Sequence, residues 1–213
     1  MFVFDSRERW YPVGVEESLA AVGARYLTKD DEPVDRFDPG GGRFDLPAGM
    51  TQPDLPPVGY LRVRHAAGLV WWQYWLWSLY NPKQYVGFGE HEGDWEFVQI
   101  AATEQGKPVL VTGSQHSTGG KREWWATERR GGRLVVYVAR DSHANYFQPG
   151  RVLEDVADGR GRVLDKIEWR KFGDWADWPG RWGNSTEQGK SPSSPGRQGD
   201  RWHRPHLFHS QAR

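Results

Sequence analysis

An acidic segment, GEHEGDWEFVQI at residues 89–100, places a histidine and four carboxylates directly before an apolar stretch. If Asp94 begins a β-strand, residues two apart share a face, so Asp94 and Glu96 project side by side. Two adjacent carboxylates repel each other, and a bound cation is the simplest way to stabilise the pair. His91, on the turn before the strand, is placed to add a nitrogen ligand. The spacing predicts a divalent-metal site at His91, Asp94 and Glu96; the alternative is a solvated, acid-rich strand edge.

Two more histidines follow strand-like runs. SQHSTGG puts His116 just past the apolar run PVLVTG, and RDSHANYF puts His143 just past RLVVYVA. A β-sandwich can gather loops into a site, so we expect both histidines to line the cavity of the metal site. An imidazole can transfer protons near neutral pH, which makes His116 and His143 the candidate catalytic residues. Either could serve as a metal ligand instead, and each alone is also typical of a surface or core histidine.

Other catalytic chemistries have weaker support. The chain has no cysteine, which excludes disulfides, thiolate metal ligands and a cysteine nucleophile. A serine triad would need Ser114 or Ser142, but neither lies in a G-x-S-x-G elbow. The glycine-rich segments DPGGGRFD and STGGKREWW do not match a nucleotide-binding loop. Oxygen-rich ligation by the acidic segment favours Mg²⁺, Ca²⁺ or Mn²⁺, and the histidines also allow Zn²⁺ or Fe²⁺.

Five runs rich in β-branched and aromatic residues predict the strands that hold these side chains. They are residues 60–65, 69–80, 94–100, 108–113 and 133–139, separated by glycine-rich or charged turns. The run LVWWQYWLWSLY is apolar on both faces, which indicates a strand buried on two sides, with a buried helix as the alternative. Near-helical spacing in VEESLAAVGARYL predicts one short helix.

These elements predict a mainly β protein, with α+β as the alternative, built as a single-domain antiparallel β-sandwich with one or two peripheral helices and long loops. A length of 213 residues suits one domain. We expect a helix and irregular loop at 1–59, the sandwich core at 60–183 and an extended tail at 184–213. The tail is disordered by composition, yet its Trp202 and Phe208 could anchor it across the body of the fold.

The charge balance limits the partners that we expect. With 28 basic and 28 acidic residues the formal net charge is zero, so no long-range field favours nucleic acid or an anionic membrane. The longest apolar run is shorter than the about 20 residues that a membrane-spanning helix needs. The first residues do not resemble a secretory signal, so we expect a cytoplasmic protein. We expect a small-molecule, peptide or glycan ligand and no nucleic acid, and we do not expect membrane binding.

The order of several motifs resembles the vacuolar protein sorting-associated protein 62 family. The motifs are WWQYWLWSLYN, GEHEGDWEFVQI, SQHSTGG, VVYVARDSHANYF and WPGRWGN, followed by a Ser- and Pro-rich stretch before RWHRP. The similarity covers roughly residues 69–205. The family name describes a cellular phenotype and implies no reaction.

The acidic segment is also similar, more distantly, to the necrosis- and ethylene-inducing peptide-like toxins. Their G-H-R-H-D-W-E heptapeptide holds a divalent metal on a β-sandwich. Aligned on D-W-E, the resemblance implies that His91, Asp94 and Glu96 are metal ligands. Gly93 replaces the second histidine of the heptapeptide, and Asn81 is the nearest candidate for a further upstream aspartate ligand. These departures bear on cytolytic activity more than on metal binding.

Three functions remain open on this sequence, and whether the protein is an enzyme is undecided. The first is a metal-dependent enzyme that acts on a small or peptidic substrate in an aromatic-lined pocket, with His116 or His143 transferring a proton. The second is a non-catalytic, toxin-like module in which the ion and nearby tryptophans hold a glycan or a lipid headgroup. The third is an ion that only ties loops together and contributes to folding.

Overall fold

The computed structural model describes residues 1–35, 37–82, 89–116, 118–152, 155–186 and 189–208. Among these residues no helix is both long and apolar enough to cross a bilayer. The helices are α1 (Val15–Val22) and α2 (Asp200–His203), and short 3₁₀ turns cover Trp124–Ala126, Asp174–Asp177, Pro195–Arg197 and Pro205–Leu207. The strands are β1 (Phe2–Phe4), β2 (Arg25–Leu27), β3 (Pro33–Val34), β4 (Arg43–Asp45), β5 (Val58–Ala66), β6 (Leu69–Asn81), β7 (His91–Ala102), β8 (Pro108–Gln115), β9 (Thr118–Glu123), β10 (Arg129–Arg130), β11 (Arg133–Leu134), β12 (Val136–Val138), β13 (Asn145–Tyr146), β14 (Gly150–Val152), β15 (Asp155–Ala157), β16 (Val163–Leu164) and β17 (Glu168–Arg170).

The largest sheet has six strands in the order β17-β5-β6-β7-β8-β9. At its centre β6 and β7 form a long antiparallel pair, which runs from Val70 opposite Ala102 to Asn81 opposite His91. β6 is apolar on both faces because each face of the sheet packs against its own hydrophobic core. The prediction of a strand over 69–80 is therefore confirmed, and the helical alternative is wrong.

A four-stranded sheet, β13-β12-β1-β16, packs over one face of the six-stranded sheet. In the core between them Leu76, Val98 and Val111 of the large sheet meet Phe4 and Val138 of the small sheet. Removing this apolar surface from water is the main free-energy contribution that holds the two sheets together. The predicted mainly β, sandwich class is confirmed. Two pairings, β1 with β12 and β17 with β5, are parallel rather than antiparallel.

The opposite face of the large sheet is covered by a second core that is rich in aromatic side chains. It joins Trp75, Trp77, Trp95 and Phe97 of the sheet with side chains of α1, β4 and residues 174–208, which we call the C-terminal segment. The rings of Trp75 and Phe97 stack with centroids 4.4 Å apart, and Trp95 stacks on Trp175 at 5.5 Å. Each aromatic side chain buries a large area, so this core accounts for most of the chain's tryptophans.

The C-terminal segment lies along this aromatic core, although the composition of the tail at 184–213 predicts disorder. Trp202 packs edge-on to Trp75 with ring centroids 5.8 Å apart, and Phe208 is also buried. The fully buried side chains of Gln73 and Gln99 donate hydrogen bonds to two backbone carbonyls of the segment, at 2.5 and 2.9 Å. The two aromatic residues thus anchor the segment as predicted, and the described part of it has a defined path.

Three of the differences from the predicted element boundaries change the arrangement of the chain. α1 ends before Gly23, which takes a left-handed backbone with φ 70° and closes the helix, so residues 25–27 form β2 instead of a last helical turn. The run 133–139 divides into β11 and β12. β7 begins at His91 rather than Asp94, which places the histidine in the strand and not on the turn before it.

Candidate functional site

Asp94 and Glu96 lie side by side on the face of β7 that meets the small sheet. Both side chains are buried, with relative exposures of 7% and 6%, whereas Trp95 and Phe97 point into the aromatic core on the other face. Burial, together with the charge of Asp94, raises the pKa of Glu96 to about 8. The two carboxylates therefore resist ionising together at neutral pH, and a bound cation would relieve this repulsion.

A cavity of about 550 Å³ reaches these carboxylates from the surface. His91 and His116 lie on its walls, so the structure brings together four of the five residues that the sequence singled out. The C-terminal segment completes the wall with three cationic side chains, Arg181, Lys190 and Arg201. Trp95 is the aromatic residue among the described lining positions, so the cavity is mostly polar rather than aromatic-lined as expected.

His91 and Asn81 face each other where β7 begins and β6 ends. The Nδ1 of His91 donates to the Gly93 carbonyl at 2.7 Å. The amide of Asn81 satisfies its surroundings best when its nitrogen donates to the carbonyls of Pro82 and Asp141 and its oxygen accepts a hydrogen bond from Nε2 of His91, 3.0 Å away. A metal ion bound by both atoms would have to replace this hydrogen bond.

The donor types at this site fit a hard divalent cation. The oxygen donors of the site, which are the carboxylates of Asp94 and Glu96 and the amide oxygen of Asn81, suit Mg²⁺, Ca²⁺ or Mn²⁺, and the imidazole nitrogen of His91 also allows Zn²⁺ or Fe²⁺. In the described part of the chain, however, no three His, Asp or Glu side chains converge closely enough to hold one ion as they stand. Both donor pairs line the same cavity, and side-chain rotation would have to bring them together.

His116 follows β8 and is held by a buried carboxylate. Its Nε2 lies 2.9 Å from Asp155 Oδ2, and its backbone is left-handed with φ 55°. Asp155 also accepts hydrogen bonds from Ser142 Oγ at 2.6 Å and Tyr146 Oη at 2.5 Å. The hydrogen bond to Asp155 raises the pKa of His116 to about 8, although burial opposes the shift. A histidine oriented in this way by a carboxylate is suited to proton transfer.

His143 lies behind Asp94, outside the described lining of the cavity. Its Nδ1 donates to Asp94 Oδ2 at 2.8 Å, and its Nε2 lies 3.7 Å from Glu8 Oε1. Burial alone lowers the pKa of His143, but the carboxylates of Glu8 and Asp94 outweigh burial and raise the pKa to about 10. The imidazolium thus bridges two buried carboxylates at neutral pH. This position suits it to orient Asp94 more than to exchange protons with a ligand.

Glu8 is a buried residue of the site's surroundings that sequence reasoning missed. The backbone N–H groups of Arg9, Trp10 and Asp141 donate to its carboxylate, each at 2.7 Å. Burial raises the pKa of Glu8, but His143 and these backbone donors outweigh it and lower the pKa. No sequence motif around Glu8 indicates its role, because it lies in an irregular stretch after β1 and meets His143 only in the folded structure.

A family model described as vacuolar protein sorting-associated protein 62 matches residues 83–163 of the chain. This match confirms the resemblance predicted from the motifs, over a shorter span than the motifs indicated. It includes all five candidate site residues, which are His91, Asp94, Glu96, His116 and His143. No curated protein sequence matches the chain.

Solved structures of necrosis- and ethylene-inducing proteins are similar to the chain in three dimensions. Necrosis and ethylene inducing protein 2, from the causal agent of cocoa's witches' broom disease, is 14% identical over 79% of this chain and 68% of its own, with a TM-score of 0.46. The non-toxic HaNLP3 protein is 15% identical over 81% of this chain and 72% of its own, with a TM-score of 0.47. NLPPya in complex with mannosamine is 16% identical over 69% and 61%, with a TM-score of 0.43. The chain thus spans less than two thirds of the length of the last of these.

Proposed function

We propose that this chain is a divalent-cation-dependent binding module for a small polar ligand, with a glycan as the favoured class. His91, Asp94 and Glu96 are the proposed ligands of the ion, and the amide oxygen of Asn81 is a fourth donor. Bound there, the ion would supply a Lewis acid that polarises an oxygen of the ligand. The ligand itself would occupy the polar cavity.

The buried pair of Asp94 and Glu96 carries this proposal. Glu96 has a raised pKa, and among the described residues its carboxylate is hydrogen-bonded by Ser114 rather than paired with a cation. Leaving a second carboxylate buried beside Asp94 is unfavourable for stability alone. A cation that binds beside the two carboxylates would relieve their repulsion. We therefore assign the buried pair, which lines a solvent-connected cavity, to cation binding.

The remaining lining favours a ligand rich in hydroxyl groups. Ser142, Ser191, Ser193 and Gln198 line the cavity together with its acidic and cationic groups. Hydroxyl groups both donate and accept hydrogen bonds, so a sugar can satisfy such a mixed wall on several sides. A volume of about 550 Å³ lies within the range of small-molecule sites.

A second candidate function is a metal-dependent enzyme that acts on a small or peptidic substrate. The His116–Asp155 pair favours it, because a cavity-wall histidine held by a buried carboxylate is suited to general acid–base catalysis. In that case His116 exchanges a proton with the substrate, Asp155 fixes the ring, and His143 holds Asp94 in place. An assay for product formation distinguishes this enzyme from the binding module.

Calorimetric titration with Ca²⁺, Mg²⁺ and Mn²⁺ tests the ion site. We expect the wild type to bind at least one of these ions in a 1:1 ratio, and Asp94→Asn to weaken binding by at least about tenfold, since a charged ligand becomes neutral. Asp54→Asn, at an exposed position outside the cavity, is the matched control and should bind as the wild type does. Failure of all three ions to bind, or equal binding by Asp94→Asn, would contradict the proposal.

The ligand is tested with the ion at saturation. Mannosamine and glucosamine, the sugars in complexes of NLPPya, are suitable first probes, and binding should disappear when a chelator removes the ion. The enzymatic alternative predicts instead that a product accumulates and that His116→Ala abolishes turnover while the ion stays bound.

A further inference from the structure

A second cavity, of about 330 Å³, lies between the two sheets at the other end of the sandwich core. Its walls are formed by apolar and aromatic side chains of both sheets. The large sheet contributes Tyr74, Val98 and Ile100, and the small sheet contributes Phe2, Val136 and Leu164. A concave apolar site of this size is within the range that binds small molecules.

This cavity is separate from the polar site, although one strand serves both. Glu96 and Ile100 lie on the same face of β7, four residues apart, which corresponds to about 13 Å along the strand. Glu96 belongs to the lining of the polar cavity and Ile100 to that of the apolar one. The two linings share no described residue, so a ligand in the apolar cavity is independent of the proposed ion.

Partly exposed aromatic and aliphatic side chains surround the mouth of the apolar cavity. Trp124 and Trp169 are only partly buried, and Trp169 packs edge-on to Tyr74 with ring centroids 5.0 Å apart. Ile100 and Ile167, on the lining, are partly exposed as well. The partial exposure of these side chains leaves the apolar interior of the cavity accessible to a ligand.

The charges around the mouth are mainly positive. Arg129 lies over the ring of Trp124, with its guanidinium 5.3 Å from the ring centroid, Arg133 lines the mouth, and Arg122 extends the row of Ile100 and Val111 across the sheet. In the described part of the chain these three arginines donate to backbone carbonyls, at 2.7 to 3.1 Å, and to no carboxylate.

One acidic residue, Asp165, is among the described lining positions of the cavity. Among the described lining positions the charged side chains are thus Arg133 and Asp165, while Arg129 and Arg122 flank the opening beside Trp124 and Val111. A guanidinium without a carboxylate partner is an effective donor to a carboxylate, phosphate or sulfate group. The mouth is thus complementary to an anion, while the interior is complementary to hydrocarbon.

We propose that this cavity binds a single-chain amphiphile with an anionic head, such as a medium-chain fatty carboxylate. The hydrocarbon tail lies between the sheets, against Val98, Ile100 and Leu164. The head group stays at the surface, where Arg133 and its neighbours pair with it.

Calorimetry with octanoate, decanoate and decyltrimethylammonium tests the proposal. Each buried methylene tightens binding about fourfold, so decanoate should bind about fifteenfold more tightly than octanoate. Decyltrimethylammonium has the same tail with a cationic head and should bind at least about tenfold more weakly than decanoate, because it meets the arginines unfavourably. Addition of a chelator should change none of these values.

Two pairs of variants locate the site. Ile100→Trp fills the cavity and should abolish binding, whereas Val152→Trp, at an exposed position of β14, should not. Arg133→Glu should reduce the preference for decanoate over decyltrimethylammonium, whereas Lys29→Glu, an exposed residue beyond β2, makes the same change in net charge and should leave the preference intact. Circular dichroism verifies folding, and Ile167→Trp replaces Ile100→Trp if the latter is unfolded.

Three results would overturn the proposal. They are the absence of decanoate binding at millimolar concentration, equal affinity for the two head groups, and wild-type affinity in the folded cavity-filling variant.

Discussion

The Nε2 of His116 lies 2.9 Å from the Oδ2 of Asp155, a carboxylate 39 positions later in the chain. Asp155 is buried, whereas the side chain of His116 is 54% exposed. The buried carboxylate of Asp155 therefore fixes the orientation of the exposed His116 ring. Ser142 and Tyr146 donate to the same carboxylate. This network turns a loop histidine with a left-handed backbone into a group with one defined orientation at the wall of the cavity.

The titration of His116 should report this contact directly. Because Asp155 raises the pKa of His116 to about 8, NMR should detect its ring protonation near that value in the wild type. Asp155→Asn should move the pKa toward about 6.5, the unperturbed value of a histidine. Glu104→Gln, at an exposed acid on another part of the sheet, should leave the titration unchanged. An unshifted pKa in Asp155→Asn would show that the carboxylate does not hold the ring.

The same pair should make the free energy of unfolding depend on pH. A folded-state pKa above the unfolded value means that the stabilising contribution is complete below about 6.5 and is lost as pH rises through about 8. The wild type should therefore exceed Asp155→Asn in stability by a larger margin at pH 6 than at pH 9. Urea unfolding of both proteins at the two pH values measures the difference, and a margin that grows with pH would contradict it.

Much of the sheet could be predicted from the sequence because its signals are local. β6 has a run dominated by aromatic and aliphatic residues, and this composition marks a segment buried on both faces, although it left a buried helix as the alternative to a strand. The alternation around Asp94 similarly placed the two carboxylates on one face. The start of β7 was not predictable in this way, because His91, Glu92 and Gly93 are weak strand formers that β6 holds by pairing.

The supporting residues of the site could not be predicted, because they meet through the fold rather than through sequence spacing. Glu8 reaches His143 from the first residues of the chain, and Asp155 reaches His116 from the pair formed by β14 and β15. Neither acid belongs to a motif. The C-terminal segment illustrates the same limit, since its composition is that of a disordered tail and only two buried aromatic residues indicate its docking.

Removing the charge of Glu8 should destabilise the protein strongly. Glu8→Gln leaves the buried imidazolium of His143 with one carboxylate instead of two, and losing one partner of a buried ion pair costs about 3 to 5 kcal/mol. Glu104→Gln, in an exposed pair with His65, should cost less than about 1 kcal/mol. Urea unfolding of the two variants gives the comparison. Equal losses would mean that Glu8 is not coupled to His143.

Trp202 should hold the C-terminal segment on the large sheet. Its ring is buried, contacts Trp75 and Phe172, and carries the Arg62 guanidinium 3.8 Å from its centroid. Trp202→Ala should lower the free energy of unfolding by about 3 to 5 kcal/mol and speed tryptic cleavage after Arg201. Trp125→Ala, which removes a 79% exposed ring, should change neither by a measurable amount. Cleavage at the wild-type rate in Trp202→Ala would rule out the anchoring role.

Gly93 occupies a position of β7 that has no room for a side chain. Its φ is 67°, and a Cβ at this position would collide with the Trp182 carbonyl and the ring of Trp77. Gly106 has a φ of 80°, but a Cβ there meets nothing within 4 Å. Both alanine substitutions carry the strain of a left-handed backbone, about 1 to 2 kcal/mol, and only Gly93→Ala adds overpacking, of about 1 to 3 kcal/mol.

The difference between the two variants therefore isolates the steric effect. Thermal unfolding should give a lower melting temperature for Gly93→Ala than for Gly106→Ala. The displacement should also weaken ion binding at Asp94, because Gly93 precedes that residue in β7 and its carbonyl accepts the Nδ1 proton of His91. Equal melting temperatures would mean that Trp182 and Trp77 can move aside. The close approach of the C-terminal segment to β7 would then not exclude a side chain at residue 93.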